Sequence, residues 1–141
     1  MAFTFHKSEK LCSKKIIEQL FKKGNSGFTE FPFRFSWVSI VLDSEVPIQV
    51  LITVSKRNFP KATHRNRIKR QIRELYRINK NSIFSDSLKS DTQFALMISY
   101  IAKEKMLYQE LSKIFHQSIL RFKSDLKKNN PSAISFTNKI L

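Results

Sequence analysis

The chain has 141 residues, 41% of them apolar, which suits one domain with a buried core. Its 26 Lys and Arg stand against 11 Asp and Glu, a formal net charge of +15, so its natural partners are polyanions. One cysteine, Cys12, excludes an internal disulfide and a cysteine-based zinc site, and two glycines, Gly24 and Gly27, exclude the glycine-rich loops that cradle nucleotide phosphates.

The N-terminal residues lack the apolar run of a signal peptide, and no stretch has the length of a membrane span. This predicts a cytoplasmic protein with no membrane partner and a reduced Cys12. Residues 9–23 place Leu11, Ile16, Ile17, Leu20 and Phe21 at helical spacing, with Gly24 as a C-terminal cap. Residues 28–42 change to period two. Phe31, Phe33, Phe35 and Trp37 share one face of a strand, and Arg34, Ser36, Val38 and Ile40 share the other. Asp43 to Pro47 is a turn, and the run Ile48 to Val54 reads as a strand covered on both faces.

A short basic loop around Pro60 follows, and Thr63 is a candidate N-cap. Residues 65–80 are an amphipathic helix. At about 100° per residue, Ile68, Ile72, Leu75 and Tyr76 form one stripe, with Asn66, Arg70, Arg73 and Arg77 opposite. Residues 92–101 read as a third strand and 104–128 as a long helix. The order α-β-β-α-β-α makes an α+β sandwich on one small sheet. Residues 1–128 form the domain, and 129–141 are a tail.

The charge is not spread evenly. From Lys56 to Lys80 there are ten basic residues and a single acid, Glu74. A solvated helix usually mixes signs to form pairs one turn apart. Here repulsion is left for a polyanion to relieve. Five of these residues are arginines on the helix, whose planar fork matches phosphate. A membrane-lying helix would show bulky Trp or Phe opposite its basic face. This one shows Ile, Leu and Tyr, sized for packing on a sheet.

Residues 55–77 carry a more specific pattern. Val54-Ser55-Lys56 ends a strand. After a short loop come Ala62, then Arg65-Asn66-Arg67, Lys69-Arg70 and Arg73-Glu74 in fixed register. This closely resembles the RNR motif of the bacterial ribonuclease P protein family. The resemblance covers nearly the whole chain apart from the tail. The segment Leu11 to Gly24 is similar to the family's first helix, and the last strand and helix agree in order. Two positions depart from the family: Pro60 and Leu51 stand where glycine is usual.

The resemblance implies an α-β sandwich with a left-handed βαβ crossover, a rare exception to the handedness rule. It implies a protein subunit for a catalytic RNA, and an endonucleolytic ribonucleoprotein that removes the 5′ leader of precursor tRNA by hydrolysis. It implies Mg²⁺ held mainly by that RNA, a protein that helps at low Mg²⁺, and no catalytic residue or metal ligand of the protein itself. The partners implied are ribonuclease P RNA and precursor tRNA, with the free protein a monomer. Arg65, Asn66, Arg67, Lys69, Arg70 and Arg73 are then the contacts to the RNA subunit, and Arg77 joins them by helical phase. The leader-binding cleft carries over to Ile17, Phe21, Phe35 and Lys56, although Ile17 stands where an aromatic is common.

The residues themselves agree in two respects. No acidic cluster is spaced for a two-metal nuclease site. The helix offers only Asn66 and Gln71 as adenine readers, a backbone-binding composition rather than a base code. His64 within the motif reads either as a phosphate contact or as a neutral spacer, and the ordinary imidazole pKa near 6.5 favours the spacer. The rival reading is a basic RNA-binding protein without a catalytic partner, such as a ribosomal protein. The aromatic stripe has its own rival reading as core.

Overall fold

The structure, a computed structural model, describes residues 9–22, 26–42, 46–87 and 93–129. Seven elements follow in order: α1 (Lys14–Phe21), β1 (Ser26–Glu30), β2 (Phe33–Ser39), β3 (Ile48–Val54), α2 (Ala62–Ser87), β4 (Phe94–Tyr100) and α3 (Tyr108–Asn129). The expected cap at Gly24, the start of the turn at Asp43 and the tail beyond Asn129 lie outside the described residues.

The four strands form one mixed sheet in the order β1-β2-β4-β3. β1 pairs antiparallel with β2, and β2 antiparallel with β4. β3 and β4 run parallel and adjacent, joined through α2 as a βαβ unit. The expected single strand over 28–42 is instead a hairpin. Pro32 has no N–H to give to a ladder, so pairing stops there and the chain turns at Phe31-Pro32. The element order therefore gains a strand over the sequence reading. Gly27 fits this hairpin because a Cβ there would stand 2.6 Å from the Phe35 carbonyl oxygen.

The first helix also starts later than its apolar spacing suggests. The Ser13 hydroxyl accepts the Ile16 N–H at 3.4 Å, capping α1. Upstream, Lys10 bridges Val50 in parallel, and the Leu11 N–H donates to the Val50 carbonyl at 2.9 Å. Leu11 is buried from this extended segment rather than from a helix. The same segment carries Glu9, whose carboxylate accepts from Lys80 Nζ at 2.9 and 3.1 Å. Both side chains are buried. Breaking such a pair by removing one partner costs about 3–5 kcal/mol. Lys80 is thus a structural tie between the N-terminal segment and α2, not part of an exposed basic surface.

The two faces of the sheet hold different cores. One is covered by α2 and α3. There Phe28, Phe33, Phe35 and Trp37 meet Ile68, Ile72, Leu75 and Tyr76 of α2 and Phe115, Ile119 and Phe122 of α3. The helical stripe read from the sequence is therefore the buried face of α2. Among the described residues, the other face is covered by α1 together with Leu11 and Leu42. Leu20, with Ile16 and Ile17 partly buried beside it, packs on Ala95, Met97, Val38 and Leu51. One short helix cannot cover four strands, and among the described residues part of this second face has no element over it.

Candidate nucleic-acid interface

Two surfaces emerge from this packing. The first is the outward side of α2. Asn66, Arg67, Arg70 and Arg73 are exposed there, as the helical phase requires with Ile68 and Ile72 facing the sheet. Lys69 is half-buried on the flank. Asn66, Lys69 and Arg73 line a groove of about 300 Å³ together with Lys10 and residues Val50 to Ile52 of β3. Leu51, one of the departures from the family pattern, belongs to this wall and packs into the α1 core.

Two of the expected contacts have other partners. Arg65 turns back along the helix, and its Nη1 donates to the carbonyls of Phe59 and Pro60, each at 2.8 Å. That guanidinium end fastens the basic loop to the helix. Arg77 has the expected phase but is ion-paired. Its Nε donates to Glu74 Oε1 at 3.0 Å, and its Nη2 contacts Glu74 Oε2. Glu74, read from the sequence as nearly alone, is thereby matched one turn along. The hydrogen bond from Arg77 holds its carboxyl below the usual range.

The second surface is the open part of the α1 face. Phe21, at the end of α1, is 65% exposed. It walls a groove of about 350 Å³ with Thr53, Ser55, Asn58, Ser99 and Ile101. The floor is polar. Thr53 and Ser99 stand in register, and Thr53 Oγ1 donates to Ser99 Oγ at 2.9 Å. Ser99 pairs across β4 with Arg34, so an exposed arginine continues the same row. Beyond Val54, the Ser55 hydroxyl accepts the N–H groups of Arg57 and Asn58 at 3.1 and 3.4 Å. This turn presents Lys56 and Arg57 to solvent.

Ile17 is half-buried in the α1 core, one turn before Phe21. Phe35 is not with them. It is 0% exposed and lies on the opposite face of the sheet. Its ring stacks on Phe28 at 5.0 Å and contacts Phe115 and Phe122 at 5.8 and 6.1 Å. Phe33 and Trp37 share that core, whereas Phe31, in the hairpin turn, is 60% exposed. On β2, the residues facing the groove side are Arg34 and Ser36. Alternation along β2 already separated them from Phe35, but alternation does not say which face lies open.

His64 sits among cations. Lys105 first, then partial desolvation, then Lys61 and Arg67 hold its pKa below the ordinary imidazole value. It is neutral near pH 7. Among the described residues, no group of three or more His, Cys, Asp or Glu side chains could hold a metal ion. No helix among them is long and apolar enough to cross a membrane.

This combination defines a small basic α+β protein with a surface matched to a polyanion: an arginine-rich helix face, and a separate groove with an aromatic wall and hydroxyls on its floor. The sequence model of the Ribonuclease P family matches residues 5–123. The ribonuclease P protein component of Chlorobium phaeobacteroides is 34% identical over 126 residues, covering 80% of this chain and 86% of that one. Its counterpart in Porphyromonas gingivalis is 29% identical over 123 residues, covering 84% and 86%. The RNase P protein from Thermotoga maritima has a similar fold, with a TM-score of 0.60 at 20% identity over 80% of this chain and 96% of that chain. The Staphylococcus aureus RNase P protein gives 0.59 at 19% identity, over 81% and 94%. The chain belongs to the ribonuclease P protein family, the protein component of the ribonucleoprotein that processes the 5′ ends of tRNA.

The cations around His64 give a pH-dependent expectation. If RNA phosphate is held against them, it neutralises them and the His64 pKa rises on binding. Because the bound-state value exceeds the free value, binding takes up a proton and strengthens as pH falls through the bound-state pKa. An NMR titration of His64, free and RNA-bound, checks this. A bound-state value at or below the free one contradicts it.

Proposed function

We propose that this protein binds the catalytic RNA subunit through the outward face of α2 and the single-stranded leader of precursor tRNA through the groove beside α1. The observation that carries this reading is the separation of the two surfaces. Asn66, Arg67, Arg70 and Arg73 project from α2, while Phe21 and the Thr53–Ser99 row lie on the other side of the sheet. A ribosomal protein needs only a basic face. A second groove with an exposed ring and a polar floor suits an unpaired strand, whose bases stack on aromatics without sequence preference.

Within this reading, Phe21 supplies a stacking ring, Lys56 and Arg34 supply phosphate contacts, and Ile17 sets the seat of Phe21 from beneath α1. Arg65 acts chiefly by fixing the loop that precedes the motif. Mg²⁺ is held mainly by the RNA, and the protein lowers the Mg²⁺ requirement by contributing fixed positive charge. The protein acts as a monomer in the cytoplasm, with residues 1–128 as its RNA-binding domain. The test is binding of precursor tRNA by the holoenzyme as the leader is lengthened. The wild type gains affinity with leader length, and Phe21→Ala loses about 5- to 10-fold of that gain, as expected for one stacked base. Leaderless tRNA binds both equally. A Phe21→Ala protein that keeps the full leader gain contradicts the groove assignment.

A further inference from the structure

The groove beside α1 does not end at Ile101. That side chain is exposed and also forms one wall of a second cup, of about 410 Å³, with Phe31, Ala102, Lys103, Lys105 and Met106. The two hollows therefore share a wall at the end of the sheet where β4 finishes and β2 begins. The Ile101 N–H donates to the Pro32 carbonyl at 2.8 Å, which holds the end of β4 against the turn that carries Phe31. The far side of the cup is fixed as well, because the Tyr100 hydroxyl donates to the Glu104 carbonyl at 2.6 Å.

The cup, like the groove, has an exposed aromatic ring in its wall. Phe31 is 60% exposed, close to the 65% of Phe21. Most of this aromatic ring at a hairpin turn faces solvent, although the same strand pair buries Phe28, Phe33, Phe35 and Trp37. Lys103 and Lys105 are exposed beside it, against one acid, Glu104. A ring flanked by cations suits an unpaired nucleotide, with the base on the ring and phosphates on the lysines.

We infer that Phe31, Ile101, Lys103 and Lys105 form a second nucleotide subsite that continues the leader track, with Phe31 stacking a base farther from the cleavage site than the one on Phe21. This rests on the leader-binding reading given above. It is supported by the meeting of the two hollows at Ile101 and by the exposed aromatic ring in each, to which the cup adds Lys103 and Lys105.

The experiment uses the holoenzyme, with the leader of precursor tRNA lengthened one nucleotide at a time. Phe31→Ala, Lys103→Ala with Lys105→Ala, and Phe21→Ala are compared with the wild type. Thermal denaturation confirms that each is folded, as the exposure of these side chains leads one to expect. Wild-type affinity rises with leader length in two stages. Phe31→Ala removes the later stage, about 5- to 10-fold, and leaves short leaders unaffected. The lysine pair lowers the same stage and its salt dependence. If Phe31→Ala keeps the later stage while Phe21→Ala loses the earlier one, the subsite is absent and the groove reading stands. If neither variant changes the leader dependence, both fail. If Phe31→Ala weakens binding equally for leaderless tRNA, or weakens binding of the RNA subunit alone, the cup serves another strand and this inference is overturned.

Discussion

Phe35→Ala lowers the stability of the fold by about 3–5 kcal/mol, the loss typical of a large aromatic removed from a packed core. The ring is fully buried between Phe28 on the neighbouring strand and Phe115 and Phe122 on α3. Its removal leaves a cavity under α3, because strand and helix backbones cannot both close on it. The groove proposed for the leader lies across the sheet, so the folded fraction of the variant keeps its preference for long leaders. Urea denaturation and leader-length binding on the same protein measure both effects. A small stability loss with a selective loss of leader affinity would put Phe35 in the groove and contradict the packing described here. Phe35→Leu, which keeps most of the volume, should lose much less.

Arg70→Ala with Arg73→Ala weakens binding of the RNA subunit without unfolding the protein. Both residues are exposed on the side of α2 away from Ile68 and Ile72, and among the described residues no side-chain hydrogen bond or ion pair ties either of them to the fold. If each contacts a phosphate, the dependence of log affinity on log salt becomes shallower by roughly 1 to 2 units. The loss is about the same for RNA subunits of different sequence, since these contacts read backbone charge rather than bases. Arg77→Ala has a smaller effect, because its guanidinium is matched by Glu74. An unchanged slope for the double variant would mean that this face of α2 does not meet the RNA.

The helices were readable because their signal is local. The α2 stripe of Ile68, Ile72, Leu75 and Tyr76 is buried as its period requires, and the residues of the RNR motif in their register carried the resemblance to the family. The hairpin was harder. The alternation of Phe31, Phe33, Phe35 and Trp37 runs across Pro32 unbroken and hides that Phe28, buried on the same face as Phe35, stands in the opposite phase. Pro32 was the available signal, since proline ends a ladder. The misplacement of Phe35 has a related cause. Alternation sorts β2 into Phe33, Phe35 and Trp37 against Arg34 and Ser36, but which set lies under two helices depends on where α1 and α3 pack. The Glu9–Lys80 pair spans 71 positions and has no periodic signature. Nor did the sequence show that Arg65 turns back to its own loop, a matter of rotamer rather than pattern.

The central claim is that this protein acts through an RNA partner. The direct measurement is cleavage of precursor tRNA at limiting Mg²⁺ by a bacterial ribonuclease P RNA, with and without the purified protein, and by the protein alone. The RNA with the protein should release the 5′ leader faster than the RNA alone, and the protein alone should release none. Robust leader release by the protein in the absence of RNA, or no acceleration of the RNA at any protein concentration, would contradict the account.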